Sequence, residues 1–156
     1  MNHETRFAEL KLELPPAPKA MGVYRPLIVV DNLAYLSGHG PLLSDGSLTT
    51  GRLGDDMDLK SGYQAARQTG LAMLATLRAN LGSLDRVARL VKTLGLVRST
   101  PEYADQPAVI NGFSELMRDV FGDEHGIAAR SALGTSALPG GIAVEIEAIF
   151  ELSPDA

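Results

Sequence analysis

Three charged side chains late in the chain have the types and spacing to do chemistry. Arg130 stands in Ala129-Arg130-Ser131-Ala132-Leu133-Gly134, and Glu145 and Glu147 stand in Val144-Glu145-Ile146-Glu147. A guanidinium is a planar fork of donors that grips a carboxylate through two parallel hydrogen bonds, which an ammonium cannot do. In an extended segment Arg130 shares its face with Ala132 and Gly134, side chains too small to cover it, so a ligand has room beside the cation. Further on, Ile142, Val144, Ile146, Ala148, Phe150 and Leu152 alternate with Ala143, Glu145, Glu147, Ile149 and Glu151, the period-2 pattern of a strand with one buried face. Glu145 and Glu147 then share the other face about 7 Å apart. At that distance one carboxylate raises the pKa of the other, giving an acid or base that works near neutral pH. Each group also has a plain reading: a solvated strand arginine, and two glutamates on a wet sheet face.

The elements that must position these groups follow from periodicity and turn chemistry. Leu138-Pro139-Gly140-Gly141 is a cluster of turn formers, and a hairpin is expected there. A tight turn at Pro139-Gly140 places Arg130 opposite Ile149 or Phe150, so Glu145 lies some 15 Å away along the strand. A bulge at Gly134 changes this register by one residue only. Arg130 and Glu145 are therefore expected to meet across subunits, not within one chain.

Earlier in the chain, Glu4 to Leu12 is at best a short amphipathic helix, and Pro15-Pro16-Ala17-Pro18 stiffens an extended connector, so residues 1–20 are expected to form a surface appendage. Leu27 to Val30 and Leu33 to Leu36 read as a strand pair around Asp31-Asn32. Residues 42–56 are polar and glycine-rich and read as a loop with little regular structure. A long helix follows, capped by Asp56 or Asp58 and ended by Gly82, with Tyr63, Ala66, Gly70, Met73, Leu74, Leu77 and Leu81 at helical spacing. Asp85 to Ser99 fits either a helix or a strand. A second helix has Pro107 in its first turn, an apolar face of Val109, Phe113, Leu116, Met117 and Val120, and its end at Gly122, after which residues 122–127 loop back.

Ala-Arg-Ser, a small-residue strand, Leu-Pro and then Val-Glu-Ile-Glu-Ala-Ile together resemble the closing signature of the RidA/YjgF family, the reactive-intermediate deaminases. The resemblance covers roughly Met21 to Leu152 and implies a strand over Asp85 to Ser99. The fold class it supports is α+β, in the order β-β-α-β-α-β-β, with two helices on one face of a mixed sheet, similar to chorismate mutase. It implies a homotrimer with ligand sites in the clefts between protomers. The activity implied is that of a 2-iminobutanoate/2-iminopropanoate deaminase, a hydrolase needing no cofactor and no metal. By the same resemblance Arg130 holds the substrate carboxylate and Glu145 positions a water. Tyr24 in Gly22-Val23-Tyr24 lines the pocket, Gly38 in Ser37-Gly38 brings its backbone to the ligand, and Asn111 lies close by. Departures are Ala128-Ala129 where Pro-Ala is usual before Arg-Ser, Ala132 where a cysteine is common, and His39 where a glutamine often stands. The N-terminal segment and the 42–56 loop resemble a longer branch of the family.

Composition sets limits on the alternatives. The 156 residues are expected to form one domain, with 45% hydrophobic residues and a net charge of −5. That charge, with 5% aromatics, disfavours nucleic-acid binding, which needs basic clusters and stacking platforms. Arg86, Arg89 and Lys92 read as a solvated face. Without cysteine there is no disulfide, thiolate nucleophile or zinc-cysteine site, and His3, His39 and His125 lack metal-ligand spacing. Dinucleotide, phosphate-loop and nucleophile-elbow motifs are absent. The N-terminus has no apolar core and no run of about 18 apolar residues occurs, so the chain is expected to be soluble and cytoplasmic, with no membrane partner. A second reading of the same clefts is a trimer that binds or senses small carboxylates without turnover. Ribonuclease and chorismate mutase, names attached to relatives, fit less well: the chain is acidic, its histidines are unpaired, and a dicarboxylate such as chorismate calls for a second well-placed cation where the sequence shows one.

Overall fold

A computed structural model describes residues 2–154, which form an α+β layer. Strand β1 (Leu27–Val30) turns into β2 (Leu33–His39) through Asp31-Asn32, with Val30 opposite Leu33 and Asp31 at φ 54°. Aspartate tolerates this left-handed conformation because its short side chain hydrogen-bonds locally. Helix α2 (Leu59–Leu81) starts at Asp58, whose side chain accepts from the Ser61 amide at 2.8 Å, and stops at Gly82 with φ 86°. The ambiguous stretch resolves into a single 3-10 turn (Leu84–Arg86) and a twelve-residue strand β3 (Val87–Arg98), which buries Thr93, Gly95 and Val97 on one face. Helix α3 (Gln106–Gly126) carries Pro107 in its first turn; Gly122 breaks it at φ 85°, ψ 168°, and one more helical turn runs to Gly126 where a loop was expected.

The sheet order is β1-β2-β5-β3-β4, with β4 (Ala129–Thr135) parallel to β3 and the other pairs antiparallel. This overturns the expected hairpin. The turn residues reverse the chain, through a 3-10 turn at Pro139–Gly141, but they deliver β5 (Val144–Leu152) to β2 and β3, so β3 lies between β4 and β5. Topology and burial explain the choice. A helix joins β3 to β4, and such a crossover makes neighbouring strands parallel and leaves β4 at the edge. A hairpin would have put β5 outside that edge. In the middle of the sheet Val144, Ile146 and Phe150 are all 0% exposed.

Helices α2 and α3 cover one face of the sheet, and the core lies between them. The other face is open and leaves Ile28, Tyr35 and Leu133 exposed. A third helix, α1 (His3–Glu9), inserts Phe7 into the core; its Glu4 carboxylate accepts from the Leu84 amide at 2.8 Å and from Arg78 at 2.5 Å. The 42–56 loop has no regular element of its own, yet isolated bridges join Thr50 to Ile142 and Leu53 to Met57 and Ser99. Among the described residues no helix is long and apolar enough to cross a membrane.

Candidate functional site

Register places Arg130 beside Thr93 in the parallel β3/β4 pair. Paired residues share a face, and Thr93 is buried under the helices, so Arg130 points to the helix side. There its Nη1 donates to Asn111 Oδ1 at 2.8 Å and to Ser114 Oγ at 3.1 Å. Asn111, Ser114 and Arg118 are spaced three, four and seven apart, which stacks them along one face of α3 toward the edge strand. Together with Thr93, Glu115 and Ala128 they line a cavity of about 260 Å³ that includes Arg130. Both partners of the guanidinium are neutral, and among the described residues no carboxylate forms an ion pair with it. Its charge is therefore held in place and left uncompensated.

Glu145 lies on the opposite face. The alternation that buries Val144, Ile146 and Ala148 under the helices turns Glu145 and Glu147 to the open side. Glu145 is half-buried, and its pKa is raised, first by burial and second by the charge of Glu147. It abuts Gly38: a Cβ on that glycine would sit 2.9 Å from Glu145 Cδ. Here β2 bulges, since Leu36 pairs with Ala148 and His39 with Ile146, three steps against two. Ser37 Oγ donates to the Arg25 carbonyl at 2.6 Å, and the buried His39 is wedged behind the bulge. The Ser37 carbonyl accepts from His39 Nδ1 at 2.6 Å, so Nε2 is left to accept from Thr76 Oγ1 at 2.8 Å. Burial lowers the His39 pKa against the opposing effect of the Ser37 bond, which fits a neutral ring. Next to this bulge a second cavity, about 650 Å³, is lined by Tyr24, Ser37, Lys92, Ser131 and Glu147.

The predicted site residues thus fall into two groups. Arg130 and Asn111 are in contact on the helix side; Gly38 and Glu145 are in contact on the open side, where Tyr24 also lies. Arg130 pairs with Thr93 and Glu145 with Leu96, on opposite edges of β3. Three residues along the strand and two strand spacings across put their Cα atoms about 14 Å apart, on opposite faces. They do not meet within the chain, and the reason is the strand between them rather than the register of a hairpin. Ser114, Arg118, Thr76 and the wedge role of His39 were not singled out from the sequence. The signal for Ser114 and Arg118 was their spacing from Asn111; for Thr76 there was none.

The family model described as "YjgF/chorismate mutase-like, putative endoribonuclease" matches residues 4–141. Protein TCP17 of Trypanosoma cruzi is 38% identical over 144 residues, 92% of this chain and 90% of that protein. The crystal structure of "a putative endoribonuclease" from Shewanella oneidensis superposes with a TM-score of 0.91 at 28% identity, covering 97% of this chain and 100% of the other. RidA from an Antarctic Psychrobacter superposes with a TM-score of 0.59 at 26% identity, covering 86% and 93%. The fold is shared with both solved structures, and in shape the chain lies nearer the Shewanella protein than this RidA.

Proposed function

This chain belongs to the YjgF/chorismate mutase-like family, and from that premise we propose that it is a cofactor-free hydrolytic deaminase of small, reactive 2-imino and 2-enamino acids, working between the subunits of a homotrimer. The observation that carries this reading is the Arg130 guanidinium, oriented by two neutral partners beside a small cavity. Such a group suits a carboxylate arriving in bidentate fashion. The open face supplies what the helix side lacks: an acidic residue of raised pKa beside a backbone bulge. A neighbouring subunit's Glu145 would orient the attacking water, with Gly38 approaching through its backbone and Tyr24 closing the pocket. The family match ends at residue 141, so the role given to Glu145 rests on its geometry and on the resemblance of its motif.

Water adds to the imine carbon, the C=N pair and a proton go to nitrogen, and the C–N bond of the carbinolamine then breaks to give a 2-keto acid and ammonia. An enamine first takes a proton at carbon to become the imine. These imines hydrolyse unaided, so binding, water placement and polarisation are enough to account for a useful acceleration. Exposure of Ile28, Tyr35 and Leu133 at 45%, 40% and 53% on the open face supports its burial by other subunits.

The test couples the purified protein to a serine/threonine dehydratase and follows loss of the imine. Acceleration is expected, and Arg130→Ala should lower kcat/KM at least about 100-fold, the effect of losing two charge-assisted hydrogen bonds. No acceleration, with Arg130→Ala equally silent, would leave carboxylate binding without turnover as the better account. A folded, fully active monomer in sedimentation at nanomolar concentration would remove the inter-subunit cleft.

A further inference from the structure

The Arg130 cavity holds a second cation. Arg118 lies on α3 one turn, ~5.4 Å of helix rise, beyond Ser114, the residue that already touches the Arg130 guanidinium, and both arginines line the same cavity. The two acidic residues near them are accounted for. Glu115, which also lines the cavity, accepts a short hydrogen bond from Tyr63 Oη and is drawn toward α2. Asp119 reaches Arg118 Nε only at 3.8 Å, with both side chains partly exposed at 36% and 45%. Such a contact is worth little and yields to a better-placed anion. The remaining wall is Leu90, Gly126, Ile127, Ala128 and the buried Thr93, which offers no competing charge.

We propose that the cavity reads two carboxylates, and that the preferred substrate is a four- or five-carbon 2-imino dicarboxylic acid, its 1-carboxylate on Arg130 and its distal carboxylate on Arg118. This rests on the deaminase reading above and names its substrate class. Two cations lining one small cavity suit the two ends of a short diacid. The cavity, about 260 Å³, has room for several water-sized groups beside the two cations. A four- or five-carbon diacid is of a size that such a cavity accommodates. In this geometry Arg118 is a specificity-determining residue: it touches the far end of the substrate and not the reacting carbon. A reaction that oxidises an acidic amino acid to its imine would supply such a substrate.

The experiment compares kcat/KM for 2-iminosuccinate and 2-iminopropanoate, each generated in the cuvette by an amino-acid oxidase from aspartate or alanine. The wild type should favour the diacid at least about tenfold. Arg118→Gln should collapse that ratio about 10- to 100-fold, as expected for one charge-assisted contact, while Arg118→Lys, which keeps the charge, should retain most of it. A wild-type ratio near one, or a ratio unmoved in Arg118→Gln, overturns the proposal. If the wild type hydrolyses neither imine, the deaminase reading fails, and calorimetric titration decides the two-anion site separately. Succinate binding at least tenfold tighter than propionate, with the difference lost in Arg118→Gln, upholds it; equal binding or none overturns it.

Discussion

Gly38→Ala is the sharpest perturbation of the open-face half-site, because its consequence can be worked from contact distances. The new Cβ would lie 2.9 Å from Glu145 Cδ and 3.0 Å from Cγ. Carbon atoms rest at about 3.5–4.0 Å, so the carboxylate must retreat by ~0.5–1 Å. Gly38 is not among the residues with positive φ, so alanine fits the backbone without strain. The side chain that gives way is a flexible glutamate on an open face. Fold stability should therefore barely change: the entropy gained by replacing glycine in a strand, ~0.5–1 kcal/mol, offsets the crowding. A melting temperature within about 3 °C of wild type is expected. Activity should respond far more, since a 1 Å misplacement of a positioning group costs up to ~100-fold. The imine assay should show a 10- to 100-fold loss in kcat/KM for a protein that sediments and melts as wild type. Two results would refute the reasoning. If kcat/KM stays within twofold while a crystal structure shows Glu145 displaced, Glu145 does not place the water. If the melting temperature falls by more than about 10 °C, the glutamate cannot yield and the contact is structural.

Further outcomes follow from the titrating groups. With Glu145 active as a carboxylate, kcat/KM should decline as pH falls through a value above its ordinary 4.5, and Glu147→Gln should move that limb to lower pH, though only in part because burial is the larger cause; a limb unmoved in the variant removes Glu147 from the site. A carboxyl with raised folded pKa contributes stability that is full below the unfolded value and lost as pH rises through the folded one. Glu145→Gln should then melt higher at pH 7, by a few degrees at most at 2–4 °C per kcal/mol, while losing activity. His39, with its pKa lowered mainly by burial, contributes stability above its ordinary 6.5 that is lost on acidification. His39→Ala also strands Thr76 and the Ser37 carbonyl, so a loss of ~2–4 kcal/mol in a denaturant titration is expected, together with lower activity because the bulge carries Gly38. For Glu4, burial acts to raise the pKa but is outweighed by the bonds from Arg78 and the Leu84 amide, and the result is a lowered value. Glu4→Ala should cost ~1–2 kcal/mol, discounted for partial exposure. It should also open the 13–20 connector to protease at pH 7, a difference from wild type that disappears as both are brought well below pH 4.5.

Much of the architecture was legible because local chemistry and global packing agreed there. Asp31-Asn32 made the turn that a two-residue hairpin requires, Asp58 and Gly82 bounded α2, and the period-2 run in β5 became a central strand buried on its helix face. The β4–β5 pairing was misread because Pro139-Gly140-Gly141 says only that the chain turns, not beside which strand it lands. Sheet order is decided by what gets buried, and that depended on a strand whose own pattern was divided between helix and strand. The bulge at Ser37-Gly38 was likewise hidden: its wedge is a histidine paired with a threonine 37 residues away, and no local spacing reports such a contact.

The candidate site shows the same limit more sharply. Alternation gives each residue a face but cannot say whether two faces on two strands are the same one. For Arg130 and Glu145 the answer passes through β3: counting from Thr93 to Leu96 is an odd step, and an odd step inverts the side of the sheet. Had the count been even, a long arginine and a glutamate some 14 Å apart could have shared one pocket in a single protomer. Because it is odd, no rotamer brings them together, and only a second copy can set one face against the other. On the proposed reading, catalysis and assembly are then a single property. A substitution on the open face that leaves every site residue intact, such as Leu133→Glu, should abolish turnover in proportion to the trimer it dissolves, and an active Leu133→Glu monomer would break that link.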